Sequence, residues 1–187
     1  LFILFSTGAG HIGFPLDDAW IHQTYARNLV VTGRWEFQPG SGGGGSTSPL
    51  WSLLLAPGPL ARFVPPVAWP WLLGLALLIG LGCLFRRRLS LIGLGRGFAL
   101  LAGLFAVSEW HFTWAALSGM ETLLAVAASI LVLTLTAEEQ PKYGLAGVVV
   151  ALAIWVRPEL IALAGPVGLK LWFDRAPVRS KIKKAVV

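Results

Sequence analysis

A succession of long apolar segments between residues 48 and 173 constrains this chain more than any other feature. Each segment is separated from the next by proline, glycine or a short charged stretch. The six segments are 48–64, 67–85, 91–107, 119–136, 143–156 and 160–173. Because a helix needs roughly 20 mostly apolar residues to cross the hydrocarbon core of a bilayer, the pattern predicts about six membrane-spanning helices, several of them short.

The overall composition supports a membrane protein. Hydrophobic residues make up 56% of the 187 residues and charged residues only 13%, whereas a soluble domain carries about 25% charged residues. So little charge excludes a soluble enzyme, a disordered tail and a coiled coil, and predicts an all-α polytopic transmembrane bundle. The net charge of +6 does not indicate a nucleic-acid partner, because the basic residues lie at the ends of apolar segments.

The regions that flank the apolar segments complete the predicted organisation. Residues 1–14 are interpreted as the remnant of a truncated first transmembrane helix, since the chain opens inside an apolar stretch without an initiator methionine. Residues 15–47 are expected to form an extracytoplasmic loop, and 174–187 a basic cytoplasmic segment. We therefore expect residues 1–187 to be a partial transmembrane domain, the N-terminal fragment of a longer protein.

Charge partly determines the orientation. The arginines at 86–88 and the basic C-terminal segment are both expected on the cytoplasmic side. Two full crossings at 48–64 and 67–85 would, however, place the 15–47 loop on the same side as these arginines. Either the 48–64 segment does not cross the membrane fully, or the arginines at 86–88 lie on the outer side as an exception to the positive-inside rule. We favour an outer loop, with the polar break at 108–118 also on the outer side.

The polar loop contains one segment with helical spacing. Ile21, Tyr25 and Leu29 recur every four residues within 17–32. This spacing predicts an amphipathic helix lying on the membrane surface, and Gly33 stands where a C-terminal cap belongs.

Asp17 and Asp18, at the start of this helix, are the first candidate chemical groups. Two carboxylates against a membrane are costly unless they are exposed, paired or functional. One of them could cap the helix while the other is solvated. Alternatively, a carboxylate in a low-dielectric cleft can act as a general base toward a hydroxyl. Spacing alone leaves both interpretations open.

His22 follows Asp18 by four residues, so the two side chains share one helix face. The pair could be half of a metal site or an oriented acid–base pair, and only His11 could add a nearby ring. The chain lacks the His-x-x-x-His and His-Glu-x-x-His spacings of zinc sites. We favour a simple hydrogen bond and leave a metal open.

Two further breaks in the apolar pattern carry charge. Arg157-Pro158-Glu159 interrupts an apolar run, so that Arg157 could hold a phosphate by bidentate hydrogen bonds, or pair with Glu159 at a helix end. Glu121 begins another apolar segment, where Ser118 and Glu121 have the spacing of a capping box.

The break at 108–118 carries a third pair of polar groups. Glu109 and His111 lie there among Trp110 and Trp114. These residues line a cleft or form an interfacial aromatic belt.

Three sequence blocks occur in order along the chain. The first is Asp17-Asp18-Ala19-Trp20-Ile21, continued by Tyr25-Ala26-Arg27-Asn28-Leu29, Gly33, Phe37-x-Pro39-Gly40 and Thr47-Ser48-Pro49-Leu50-Trp51. The second is Ala116-Leu117-Ser118-Gly119-Met120-Glu121-Thr122, and the third is Trp155-Val156-Arg157-Pro158-Glu159. Together they resemble the N-terminal half of the polytopic GT-C glycosyltransferases that use polyprenyl-phosphate sugars. The first block looks like the first extracytoplasmic loop and second helix of the arabinofuranosyltransferase-like and mannosyltransferase-like members.

The resemblance implies an inverting sugar transfer at the outer face of a membrane. The donor would be a sugar on a polyprenyl monophosphate, and the acceptor a hydroxyl of a glycan, a lipid or a protein. No nucleotide cofactor is implied, since the lipid carrier replaces it. We expect a multi-pass protein of a bacterial plasma membrane, with the site facing outward.

The resemblance also implies residue roles. The family's catalytic base, an aspartate of the first loop, maps to Asp17 or Asp18. A cation such as Arg157 or Arg27 would stabilise the charge on the leaving phosphate. The residues expected to bind substrate are His22, Arg27, Glu121, Arg157 and Glu159.

Two other classes of function are kept beside this one. The chain could be half of a transporter or permease, with Asp17, Arg157 and Glu159 on a substrate or ion path. It could also be a non-catalytic membrane scaffold. A scaffold would tolerate replacement of Asp17, Asp18 and Arg157 by uncharged residues.

Overall fold

Every regular element in the described part of the chain is helical, as the sequence predicts. The computed structural model describes residues 13–40, 43–60 and 65–175. The α-helices are α1 (Asp17–Thr32), α2 (Pro49–Leu55), α3 (Ala68–Leu91), α4 (Arg96–Ser108), α5 (Trp110–Leu117), α6 (Thr122–Ala137), α7 (Tyr143–Val156) and α8 (Ala164–Arg175), with 3₁₀ turns at Gly58–Leu60 and Pro158–Leu163. Most of the predicted helix remnant and most of the predicted basic segment lie outside the described residues.

Helix α1 coincides with the predicted helix over 17–32. Gly33 ends it with a positive φ of 69°, and its N–H donates to the Leu29 carbonyl at 3.0 Å. The expected aspartate cap is wrong, because Leu16 is the N-cap and makes no side-chain cap bond. Asp17 and Asp18 occupy the first turn instead, where their negative charge interacts favourably with the helix dipole.

Only α3 is by itself long and apolar enough to cross a membrane among the described helices. It has 24 residues, which gives it a length of about 36 Å. A second candidate span is α4 together with α5, a pair bent by 56°. The apolar helices α6 and α7 have 16 and 14 residues. Length and composition therefore support one or two spans, and the predicted six are not confirmed.

The segment predicted to span at 48–64 does not form a spanning helix in its described part. It contains only the seven-residue α2 and a short 3₁₀ turn. A helix of that length extends about 10 Å, against a hydrocarbon core of about 30 Å. The indole N–H of Trp69 donates to the Leu54 carbonyl at 2.9 Å, which holds this segment beside the start of α3. The described part of 48–64 therefore gives no support to a full crossing by this segment.

The long helices run back and forth between two ends of the molecule. We call the end with α1, Glu121 and Arg157 the α1 end, and the end with the arginines at 86–88 and Glu138 the basic end. Arg87 donates to Glu138 at 2.8 Å, which joins the end of α3 to the end of α6. The ion pair of Arg87 with Glu138 and that of Arg157 with Glu121 therefore lie at opposite ends of the molecule.

Close helix contacts determine how α4 and α5 lie against α3. Val107 of α4 approaches Gly82, and the Ala116 carbonyl of α5 lies against Gly74. The bend at Glu109 thus lies between the levels of Gly82 and Gly74, partway along α3. Only the far end of the 108–118 break reaches the α1 end.

The glycine at the α3–α5 contact provides a direct test of this packing. A Cβ on Gly74 would lie 1.9 Å from the Ala116 backbone oxygen, so the helices must move apart. We expect Gly74→Ala to lower the free energy of unfolding by about 2–3 kcal/mol. The measurement is thermal unfolding in detergent micelles, followed by circular dichroism.

Gly80→Ala on the same helix is the matched control. A Cβ at Gly80 meets nothing within 4 Å, so this change should be neutral or stabilise by up to about 1 kcal/mol through helix propensity. Equal effects of the two substitutions would contradict the close α3–α5 contact.

Candidate functional site

A buried cluster of ionisable side chains lies at the α1 end and joins three separate segments. Arg157 Nε donates to Glu121 Oε1 at 2.8 Å, and Glu121 Oε2 lies 3.5 Å from His22 Nε2. Glu121 is 3% exposed and His22 is 1% exposed. Buried charges of this kind are costly unless they are paired. The cluster therefore holds α1, the start of α6 and the break after α7 in one arrangement.

A tight turn before α6 places Glu121 in the cluster. Gly119 has a φ of 77° and accepts a hydrogen bond from the indole N–H of Trp51 at 2.9 Å. The expected capping box is wrong. The Ser118 hydroxyl donates to the Ala115 carbonyl and accepts from the Met120 N–H, and Glu121 makes no cap bond. The carboxylate instead meets two potential cations, which gives it a stronger interaction than its own helix N-terminus offers.

Arg157 owes its position to the proline that follows it. Proline disfavours helical backbone in the preceding residue, and Arg157 is extended at φ −149° and ψ 123°. Helix α7 therefore stops at Val156 and Arg157 turns toward Glu121. The predicted pair with Glu159 is present at 3.4 Å, but the shorter bond is to Glu121.

The guanidinium of Arg157 keeps unused donors. Nε faces Glu121, Nη1 makes only the long contact to Glu159, and Nη2 has no partner within the described ranges. The side chain is 37% exposed. Since a guanidinium has five N–H donors in a rigid fork, the open edge can bind an anion by two hydrogen bonds.

His22 is connected on its other side to hydroxyl groups of the loop and of α2. Its Nδ1 lies 3.1 Å from Ser52 Oγ, which in turn lies 3.2 Å from Ser46 Oγ and 3.2 Å from the Ser48 carbonyl. The sequence reasoning missed Ser52. The available signal was a hydroxyl one helical turn after Ser48 within an otherwise apolar helix.

The hydrogen bonds of Ser52 determine how the His22 ring is held. When Ser52 donates to the Ser48 carbonyl, its oxygen can accept from His22 Nδ1–H. On the other side of the ring, Nε2 lies 3.5 Å from Glu121 Oε2, which is buried and has no closer partner. The imidazole is therefore held between the Ser52 hydroxyl and the Glu121 carboxylate.

The surroundings of Glu121 favour its charged form. Burial opposes ionisation, but the side chains of His22 and Arg157, together with the backbone N–H of Glu121, outweigh it. The pKa of Glu121 is held below its ordinary value of 4.5. The carboxylate is thus ionised at neutral pH, as an anchor for Arg157 requires.

The structure brings four of the predicted site residues together: His22, Glu121, Arg157 and Glu159. Asp17 and Asp18 are exposed at the start of α1 and make no hydrogen bond or ion pair within the described part of the chain. Asp18 lies one helical turn before His22 on the same face, so both aspartates are at the α1 end.

Arg27 is not brought into the cluster. It is exposed on α1, and its guanidinium makes two long contacts of 3.4 Å to Asn28 Oδ1. Its expected contact with substrate stays a prediction.

The glycine-rich segment 43–46 is attached to α1 through the side chain of Tyr25. The Gly45 N–H donates to the Tyr25 hydroxyl at 2.9 Å, and a Cβ at Gly45 would lie 2.6 Å from that oxygen. Tyr25 is itself buried and stacks on Trp35 with a centroid distance of 5.2 Å. Residues 43–46 therefore lie over the face of α1 that carries His22.

Two other predicted polar pairs lie outside the cluster. His22 contacts Ser52 and Glu121 rather than Asp18, and His11 lies outside the described residues. Glu109 Oε1 and His111 Nδ1 are 2.5 Å apart on the exposed α4–α5 bend. Across residues 13–40, 43–60 and 65–175, no group of three or more His, Cys, Asp or Glu side chains converges as metal ligands.

Comparison with known proteins adds no assignment. No protein-family model, curated protein or solved structure matches this chain. The function must therefore be argued from the cluster at the α1 end and from the sequence blocks that form it.

The ion pair makes a testable contribution to stability. We expect Glu121→Gln to lower the free energy of unfolding by about 2–3 kcal/mol at neutral pH, less than a fully buried pair because Arg157 is partly exposed. Since the folded-state pKa of Glu121 is depressed, its contribution is present above the unfolded pKa and is lost as the pH falls through the folded pKa. The difference in free energy of unfolding between wild type and Glu121→Gln should decrease below about pH 4.5.

Glu159→Gln is the control for this measurement. The Glu159 side chain is 65% exposed and makes only the 3.4 Å contact, so its removal should change the free energy of unfolding by less than about 0.5 kcal/mol. A difference between wild type and Glu121→Gln that is independent of pH would contradict an ionised, paired Glu121.

Proposed function

We propose that this chain forms part of a polytopic membrane glycosyltransferase of the GT-C type. The enzyme transfers a sugar from a polyprenyl phosphate to an acceptor hydroxyl with inversion. The observation that carries the proposal is the half-exposed guanidinium of Arg157, anchored by buried Glu121 at the same end of the molecule as Asp17 and Asp18. A cation and an unpaired carboxylate at one end are what transfer from a phosphate leaving group requires.

The surface of the helices supports a membrane location. Only 17% of the most apolar 18-residue stretch of α3 is buried within the chain, whereas the core helix of a soluble protein would be mostly buried by its neighbours. Large apolar side chains are exposed on other helices as well, among them Phe98 at 74%, Phe105 at 77% and Trp172 at 73%. Soluble monomers rarely expose so much contiguous apolar surface. We propose that α4 with α5, α6, α7 and α8 are further spans.

The charge distribution supports an orientation. The arginines at 86–88 lie at the basic end, which the positive-inside rule places in the cytoplasm. The α1 end then faces outward, where lipid-linked sugars are used by enzymes of this type. The polyprenyl tail would lie in a lipid-facing groove between helices, with its sugar-phosphate beneath the 15–47 loop.

Arg157 is suited to the charge that develops during the transfer. As the sugar leaves, negative charge grows on the phosphate oxygens, and a positioned cation stabilises that charge more than it stabilises the donor. The bond from Nε to Glu121 fixes the plane of the guanidinium without using its two Nη groups. Glu159, which is largely exposed beside them, is placed to contact a sugar hydroxyl.

The aspartates are suited to the role of base. A base that accepts a proton from the acceptor hydroxyl must be ionised, reachable and not already paired. Asp17 and Asp18 are exposed and have no partner among the described side chains. Attack of the deprotonated oxygen on the anomeric carbon forms the new glycosidic bond and breaks the bond to the phosphate oxygen.

The decisive test follows release of polyprenyl phosphate from polyprenyl-phosphate sugars. The natural full-length protein containing residues 1–187 is reconstituted in liposomes, as wild type, Asp17→Asn and Asp18→Asn. We expect loss of release in one of the two variants, since an amide cannot accept the proton. Retained helical circular dichroism would show that the variant is folded.

Other outcomes of this assay point elsewhere. Full release by both variants would remove this pair from the catalytic role. No release by wild type across a broad panel of donors would favour the transporter interpretation, in which Asp17, Arg157 and Glu159 line a substrate or ion path.

Arg157 gives a second, independent prediction. Arg157→Gln should lower kcat/KM for donor by about 10²–10³-fold, the usual effect of removing one donor that stabilises a developing oxyanion. Arg157→Lys should recover only part of the loss, because an ammonium cannot replace a planar fork. Lys142→Gln, which removes an exposed cation at the basic end, is the control and should have no effect.

A further inference from the structure

The basic end carries a charged surface that the proposed transfer does not use. Helix α3 finishes through Arg86, Arg87 and Arg88, and α4 begins at Arg96 after a short turn. We call these four residues the basic patch. They lie at the opposite end of the helices from the cluster around Glu121.

The patch is mounted on a tight helical hairpin. Gly93 turns the chain with a φ of 91°, and the Leu94 N–H donates to the Leu89 carbonyl at 3.1 Å. Helices α3 and α4 then pack closely, since a Cβ on Gly103 would lie 3.0 Å from the Gly82 carbonyl and 3.5 Å from the Arg86 Cβ. The backbone that carries the cations is therefore held in place by close helix packing.

Most of the charge in the patch is not neutralised. Arg87 pairs with Glu138, and the same carboxylate also pairs with Lys142 at 3.0 Å. Arg86, Arg88 and Arg96 form no ion pair with any described carboxylate. Three cations on one hairpin without counter-ions form a local positive potential that attracts anions.

Exposed apolar side chains belong to the same hairpin as these cations. Leu91 is 48% exposed, Ile92 57% and Phe98 74%. A nucleic acid would neutralise the arginines but would offer no hydrocarbon to these side chains, and an acidic protein would have to present carboxylates and an apolar surface together. A phospholipid with an anionic headgroup matches both, because its phosphate and its acyl chains are joined in one molecule.

We infer that the α3–α4 hairpin binds the headgroup of an anionic phospholipid. The phosphate is held by Arg86 and Arg96, which belong to the two packed helices of the hairpin, while Arg88 adds to the local positive potential. The upper part of the acyl chains packs against Leu91, Ile92 and Phe98. This site is separate from the proposed transfer site, and neither depends on the activity of the other.

The test uses the purified chain in neutral detergent micelles, titrated with phosphatidylglycerol or with phosphatidylcholine that has the same acyl chains. We expect phosphatidylglycerol to raise the midpoint of thermal unfolding and phosphatidylcholine to have little effect. Arg96→Gln should weaken the apparent affinity for phosphatidylglycerol about five-fold, and the triple variant R86Q/R88Q/R96Q about 100-fold. High salt should weaken binding to wild type in the same direction.

Arg34→Gln is the matched control, because it removes one exposed positive charge away from the patch. If Arg34→Gln and Arg96→Gln weaken the affinity for phosphatidylglycerol equally, net charge alone attracts the lipid and the proposed site is contradicted. Equal stabilisation by the two lipids would overturn it as well. A shift of the same size with glycerol phosphate at equal concentration would show a site for free phosphate and not for a lipid. If the triple variant does not fold, Arg86→Gln and Arg96→Gln decide the outcome by the same comparison.

Discussion

The interaction between Glu121 and Arg157 is the constraint on which the α1 end depends. It joins the start of α6 to the break after α7, and through His22 it adds α1 to the same arrangement. The buried carboxylate of Glu121 depends on these partners, because without them it would be an uncompensated buried charge. The same interaction leaves one edge of Arg157 open to an anion. The same side chains therefore hold the helices together and offer hydrogen-bond donors to an anion.

Close contacts at glycine allow the helices to carry this cluster. Gly74 meets the Ala116 carbonyl, and Gly82 and Gly103 bring α3 and α4 together. Small residues are favoured where helices pack without much hydrophobic driving force between them, as in a bilayer. Large apolar side chains are in turn directed outward, such as Phe105 and Trp172. Glycine at these helix contacts, together with large apolar side chains on the outer surface, fits a lipid environment.

The two ends of the molecule differ in whether their charged side chains form ion pairs. At the α1 end, Glu121 and Arg157 neutralise each other in a mostly buried contact. At the basic end, Arg86, Arg88 and Arg96 are left without counter-ions among the described residues. A chain with so few charged residues gains from this separation, because paired charges tolerate burial whereas unpaired charges need water or anionic headgroups.

Local patterns in the sequence were sufficient for the helical class, for α1 with its glycine cap, and for the break at Arg157. Each of these depends on interactions within a few residues, such as the restriction that a proline places on its neighbour. The pairing of Glu121 with Arg157, the hydroxyl of Ser52 next to His22 and the position of the α4–α5 bend needed the tertiary structure. Glu121 and Arg157 are 36 positions apart, so no local spacing relates them, and the capping box suggested by Ser118 competes with a stronger partner that only folding supplies. The sequence by itself therefore determined the helical class, α1 with its cap and the break at Arg157, and the tertiary structure decided which charges meet, because that depends on how closely the helices can pack.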